Sequence, residues 1–318
     1  MPQSRAQFVR TASAIGTAVA LRPRLARADD QVLRVASAVG DDVTPVLYAQ
    51  QQGLFQKAGL DVRLQVLTSG SAGAAAIVGG ALDIAKSSLM SVILAHVHGI
   101  PLRLIAPAAV YTSTQLFAAI IVGKSSPIRN AQGLQGKTVA VSSLGDAQSL
   151  ATMGWLDQNG VNSSSVKLVE IPFTAMVAAV EDGRVDAAVM VSPLLDSAVH
   201  TGRTRVLGPV YNGIAKHFLV TVWYATESFI EHNGDVVRRF AATVHDANAY
   251  CMRHSAETLP IVAAFEHIDP ATLQGTVRAS YTPTLDPRDI QPMIDIAAKY
   301  KVIDKPFPAS ELIAAIPN

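Results

Sequence analysis

The residues in this chain best placed to do chemistry are small and polar, and they stand in short turns. Asp42 and Thr44, then Ser69, Gly70 and Ser71, then Lys86, Ser87 and Ser88, then Ser142, Ser143, Gly145 and Asp146, and finally Ser192 each follow a β-rich run and precede a helical one. A helix start offers free backbone N–H groups and the positive end of the helix dipole, which together hold an anionic group. The same residue types also serve as plain helix caps, a role that needs no ligand. Lys86 is the one cation of the set, and its other reading is a solvated surface lysine. Asp41, Asp42 and Asp146 pull the opposite way, because an acid facing a cleft favours a ligand amine or ring N–H. Tyr111 and Thr112 follow the fourth β-rich run and are expected near the same loops. Tyr48, Phe117, Phe173 and Trp223 are further candidate walls for a flat ligand, or else parts of the core.

Nothing in the spacing of these residues speaks for catalysis. There is no G-x-S-x-G elbow and no H-E-x-x-H pair, and His96 and His98, two apart, would point in different directions on a helix. Gly136-Lys137-Thr138 ends a segment shaped like a phosphate-binding loop, but Ala131 stands at its first glycine and a strand, not a helix, follows Thr138. The single cysteine, Cys251, excludes a disulfide framework and a Cys-based metal cluster, and reads as a small buried hydrophobe. Lys and Arg number 26 against 25 Asp and Glu, a formal charge of +1, which argues against a nucleic-acid binder dependent on a basic surface. No cofactor and no metal is expected.

The elements that must position these turns alternate along 318 residues, a length that suits two lobes of ordinary size. Val32 to Ala36, Asp61 to Leu67, Leu82 to Ala85 and Leu102 to Ala106 read as strands separated by helical stretches, one of them Val46 to Lys57 behind the Thr44-Pro45 start signal. This is the pattern of a parallel sheet with crossover helices. After Leu116 to Val122 and a polar connection from Lys124 to Lys137, the pattern restarts. Its second series is strand Thr138 to Val141, helix Ala147 to Gln158, strand Val166 to Ile171, helix Ala175 to Glu181 and strand Ala187 to Val191. Phe218 to Tyr224 is a β-rich stretch able to carry the chain back. Asp235 to His254 is helical, with Val236, Phe240, Val244, Ala247 and Cys251 on one buried face. The expected fold class is therefore α/β: residues 29–119 with 220–318 as one lobe, 120–219 as the other, two crossing segments between them and a ligand cleft where they meet.

Residues 1–28 have the form of a signal peptide. Arg5 and Arg10 stand without an acid in the first ten residues, Thr11 to Leu21 is small and apolar, and Ala26-Arg27-Ala28 precedes Asp29. Cleavage is expected after Ala28. Ser4 to Arg10 is similar to a twin-arginine signal with Ala6 where the second arginine belongs, so both export routes stay open. No later stretch holds the roughly 20 uninterrupted apolar residues of a spanning helix.

Tyr48 to Val62 (YAQQQGLFQKAGLDV) resembles a hallmark stretch of the nitrate, sulfonate, taurine and thiamine-precursor binding proteins. Gly79-Gly80-Ala81-Leu82-Asp83-Ile84 is similar to that family's turn into its third strand, Gly133 to Val141 to its lead-in to the second lobe, and Gly183 to Ala188 to another recurrent element. The likeness runs from about Val32 to Pro193. It implies a type II periplasmic-binding fold, a periplasmic monomer, and delivery of a small organic anion such as a sulfonate or aromatic carboxylate to an ABC permease in the inner membrane. A pyrimidine or other heterocycle is the alternative ligand, and an enzyme on the same fold is the less favoured alternative. Carried over, the resemblance puts ligand contacts at Asp42, Thr44, Ser69 to Ser71, Lys86 to Ser88, Ser142 to Asp146 and Ser192. Fungal relatives that resemble suicide enzymes depend on a cysteine cluster, and one cysteine does not support that activity. A regulator's effector lobe would want a helix-turn-helix where the export signal stands.

Overall fold

The computed structural model describes residues 31–67 and 70–316. The expected signal segment and Ser69 lie outside the described residues. From the first strand the chain runs β1 (Gln31–Ser37), α1 (Thr44–Gln51), α2 (Leu54–Lys57), β2 (Leu60–Val66), α3 (Gly70–Val78), β3 (Ile84–Ser88), α4 (Leu89–Val97) and β4 (Leu102–Thr112). It then builds β5 (Ala118–Gly123), β6 (Thr138–Val141), α5 (Ala147–Gln158), β7 (Lys167–Glu170), α6 (Phe173–Glu181), β8 (Ala187–Val191), α7 (Leu194–His200) and β9 (Thr204–Gly208). β10 (His217–Thr226) returns, and α8 (Glu227–His232), α9 (Gly234–Arg253), α10 (Ser255–Glu266), α11 (Pro270–Leu273) and α12 (Pro287–Lys299) finish the chain.

Two five-stranded sheets result, in the orders β2-β1-β3-β10-β4 and β7-β6-β8-β5-β9. The sequence reading of parallel sheets needs one correction in each. β10 pairs antiparallel with both β3 and β4, and β5 pairs antiparallel with both β8 and β9. Each of these strands arrives from the opposite half, so it enters its sheet without the crossover helix that would hold it parallel. β4 is also longer than expected and carries Pro107, which an edge strand tolerates because one side of its ladder needs no N–H donor. The stretch from Val46 to Lys57 is two helices rather than one: Gly53 sits at φ 65° between them, a conformation glycine adopts without a Cβ clash.

The recurrent glycine-to-aspartate elements do structural work in both halves. Asp83, only 8% exposed, accepts from the Arg34 backbone N–H at 2.7 Å and from the Arg34 side chain at 2.6 and 3.0 Å. Asp186 likewise accepts from the Thr138 backbone N–H at 2.9 Å, with the Lys137 ammonium 3.3 Å from its other oxygen. In each half an aspartate just before one strand thus fastens the strand beside it.

The α9 face foreseen from its spacing is buried throughout, Val236 at 4% exposure and Phe240, Val244, Ala247 and Cys251 at 0%. Burial lifts the Cys251 thiol to about 12, so the thiolate does not form near neutral pH. A continuous apolar cluster links the two sheets through Tyr111, Phe218, Trp155 and Ile294. α12 lies in this joint, packed on α4, α5 and β10.

Candidate functional site

Between the sheets, at the carboxyl ends of the parallel strands, lie two adjoining spaces of about 220 and 290 Å³ that share Asp42 and Thr221. The smaller is closed from the second half by Phe117, Ser192 and Pro193 and from the first by residues of β4 and β10 and by Glu266. The larger is walled by Ala38 and Val39 beyond β1 and by Lys86, Ser87 and Ser88 at the end of β3. Ligands of open α/β sheets bind beyond these strand ends. Hollows of about 460 and 660 Å³ also exist, but they lie on the outer surface, beside α10–α11 and at the amino ends of β6 and β8.

The charges of this gap are arranged in pairs. The Lys86 ammonium is ion-paired with Asp42, the two side chains 5% and 16% exposed. Asp41 receives the Arg278 guanidinium as a fork at 2.6 and 2.8 Å and the Ala279 N–H at 2.6 Å, and Thr44 donates its hydroxyl to it at 2.9 Å. Glu266, the last residue of α10, has no ion-pair or hydrogen-bond partner among the described residues. Burial, and then the nearby Asp41 and Asp42 carboxylates, push its own carboxyl above the ordinary range.

Two hydroxyls here are also unpaired. Ser192 Oγ and Thr221 Oγ1 are buried without a partner, and both residues line the smaller space. A buried hydroxyl with no acceptor or donor is costly unless something binds it. Ser192 comes from the end of β8, while Thr221 belongs to β10 and lies opposite Ser88 in the ladder with β3.

The structure gathers Asp42, Lys86, Ser87, Ser88 and Ser192 from the sequence-predicted set. Ser88 also caps α4, accepting from the Ser91 N–H at 3.2 Å. Gly70 and Ser71 open α3. Thr44 is not the expected cap: it is wholly buried inside the first turn of α1 and spends its hydroxyl on Asp41. Tyr111 does not follow a strand but lies within β4, 1% exposed, donating to Asn212 Oδ1 at 2.9 Å, and Thr112 bonds to Thr114 at 2.8 Å. The turn from Ser142 to Asp146 lines neither space. Its polar atoms are used locally: Ser142 donates to Asp146 at 2.8 Å, Ser143 to Glu170 at 3.2 Å, and Asp146 caps α5 by accepting from the Ser149 N–H at 2.9 Å. Gly145 permits this turn with φ 78°. Of the aromatic candidates only Phe117 lines the gap. Tyr48 stacks on Tyr250 at 4.3 Å, Trp223 is 1% exposed, and Phe173 packs against the core of the second sheet. Sequence reasoning missed Thr221 and Glu266, since the β10 pairing that brings Thr221 in is long-range and Glu266 lies beyond the motifs.

Residues 41–258 match the family model described as NMT1/THI5 like. The chain belongs to the NMT1/THI5-like family. It is similar to a Brucella abortus (strain 2308) protein described as "Putative binding protein", 24% identical over 283 residues that cover 83% of this chain and 81% of the relative. Among solved structures it resembles the periplasmic aliphatic sulphonate binding protein SsuA from Escherichia coli, with a TM-score of 0.74, 18% identity, and coverage of 89% of this chain and 97% of that one. The periplasmic nitrate-binding protein NrtA from Synechocystis PCC 6803 gives 0.70, 15% identity, and 88% and 84% coverage. These likenesses establish the periplasmic-binding-protein fold. Among the described residues, no three His, Cys, Asp or Glu side chains gather as a metal site, and no helix is long and apolar enough to cross a membrane.

Proposed function

We propose that this NMT1/THI5-like chain is the periplasmic solute receptor of an ABC importer, binding a small molecule between two lobes and handing it unchanged to an inner-membrane permease. In this reading residues 1–28 direct export, residues 29–119 with 220–318 form one lobe, residues 120–219 form the other, and the receptor acts as a monomer without catalysis. The observation that carries it is the pair of unsatisfied hydroxyls, Ser192 and Thr221, one from each sheet, lining a space of metabolite size. A buried hydroxyl without a protein partner that lines a space is a contact a bound molecule can complete.

Two ligand chemistries suit different parts of the gap. An organic anion fits the larger space, which is lined by the hydroxyl residues Ser87, Ser88 and Ser91 at the start of α4, the positive end of that helix. A heterocycle carrying N–H donors fits the smaller one, between the Phe117 ring and the carboxylate of Glu266. Against the first stands the Asp42 carboxylate, which already neutralises Lys86.

A thermal-shift screen over sulfonates, aromatic carboxylates and aminopyrimidines tests the reading. A true ligand at 100 times its Kd adds about 2.7 kcal/mol of stability. It is recovered chemically unchanged, and the combined variant Ser192→Ala, Thr221→Val abolishes its shift. Turnover of the bound compound would instead mark an enzyme.

A further inference from the structure

The smaller space contains more negative than positive charge, and the excess sits on one residue. Two cations and three carboxylates are gathered around it. Lys86 is paired with Asp42, Arg278 with Asp41, and Glu266 with nothing. Arg278 directs its hydrogen bonds elsewhere, a fork onto Asp41 and one bond at 3.1 Å to the Ser255 carbonyl, and none reaches Glu266. An anion entering here would meet Glu266 with no free cation to balance it. A cation would find a half-buried carboxylate waiting, where the effective dielectric is well below that of water.

Acidic residues alone do not make a site, and the independent observation is Ser192. It is 8% exposed, lines the same space and keeps an unpartnered Oγ, a hydroxyl able to accept an N–H. Phe117 adds an aromatic ring to the same wall, and aromatic faces attract cations. Carboxylate, hydroxyl acceptor and ring together match a flat group that is positively charged and rich in N–H donors.

The geometry points to a ligand with a cationic pole, a protonated amine or amidinium-type group seated on Glu266 with Ser192 accepting one of its N–H bonds. This rests on the receptor reading and adds the sign of the charge to it. The groups facing Glu266 are Asp41 and Asp42 on the turn before α1, Lys86 on β3 and Arg278 after α11, and only Glu266 among them changes its pairing when the ligand arrives.

Three probes of one shape separate the possibilities: benzamidinium, neutral benzamide and benzoate, titrated calorimetrically into the purified protein at pH 8. Benzamidinium is expected to bind saturably and at least tenfold tighter than benzamide, with benzoate weakest. Glu266→Gln is expected to erase the preference for benzamidinium over benzamide. Glu257→Gln, at an exposed carboxylate on the same helix that is paired with His254, is expected to keep it. Benzoate binding tighter than benzamidinium, no binding of benzamidinium, or an unchanged preference in Glu266→Gln would each overturn the assignment while leaving the receptor standing. If the sulfonate, carboxylate and aminopyrimidine panel also fails to bind, the receptor reading itself falls.

Discussion

Lys86 and Asp42 form an ion pair at the boundary between the two spaces of the gap, with the ammonium almost wholly removed from water and the carboxylate only slightly less so. Removing one member strands the other charge. Lys86→Met leaves Asp42 beside Asp41 and Glu266, and is expected to destabilise the fold by about 2 kcal/mol, below the roughly 3–5 kcal/mol seen when a fully buried pair is broken. The double variant Lys86→Met, Asp42→Asn is expected to recover most of that loss. Urea denaturation of the single and double variants checks it, and equal losses in both would mean the charges do not depend on each other.

Glu266 gives the gap a pH dependence with a definite sign. Its folded pKa lies above the ordinary carboxylate value, so its contribution to stability is fully present below the unfolded pKa and is lost as pH rises through the folded one. At neutral pH the wild type therefore carries the cost of an unpaired charge. Glu266→Gln is expected to raise the melting temperature at pH 7 by a few degrees at most, since solvent still screens part of the group and each kcal/mol corresponds to about 2–4 °C in a domain of about 150–250 residues. The difference should vanish toward pH 4. A variant less stable than wild type at pH 7 would show that Glu266 has a favourable partner.

Asp83 and Asp186 test whether the family motifs are structural. Each accepts a backbone N–H from a neighbouring strand, but Asp83 is the more buried and carries more bonds. Asp83→Ala is expected to cost about 2–3 kcal/mol, because it removes at once the partner of a part-buried strand N–H and two of the Arg34 side-chain bonds, and Asp186→Ala about 1 kcal/mol. The urea midpoint should fall in that order with an unchanged slope.

Those aspartates also show what could be read ahead of the structure. The motifs around them, α5 from Ala147 to Gln158, β8 from Ala187 to Val191 and the buried face of α9 are all local signals: spacing, branching and caps within a few residues. Asp42 and Ser192 could be singled out because they follow strands, and Lys86 because it stands near the carboxyl end of one. The pairing of Asp42 with Lys86 was not legible, since an aspartate and a lysine far apart in sequence give no sign that they meet. Thr221 was hidden for the same reason. It reaches the gap only because β10 returns antiparallel beside β3, and a shift in the β10–β4 register falls at this residue. The turn from Ser142 to Asp146 reads like a binding loop, and Tyr111 like a cleft wall. In each case the polar atoms found partners within the protein, which residue type alone does not reveal.

Within the second half, two glycines touch where α5 meets the turn before β10, against α12 from the first half. Gly154, inside α5, lies against Gly213 in the turn before β10, and a Cβ at 154 would stand 2.2 Å from the Gly213 carbonyl oxygen and 2.9 Å from Ile296 Cδ1 on α12. A Cβ at 213 would in turn meet the Ala151 carbonyl oxygen at 2.1 Å. Backbone cannot yield as a flexible side chain can, so Gly154→Ala must push α5 away from the turn and from α12. Helix propensity favours alanine by about 1 kcal/mol. Overpacking opposes it by about 1–3 kcal/mol and, with backbone as the obstacle, should exceed it. The expected outcome is a net loss of stability and a lower melting temperature. An unchanged or higher one would show that α5 and the turn before β10 can separate freely, and that their packing against α12 is looser than these contacts imply.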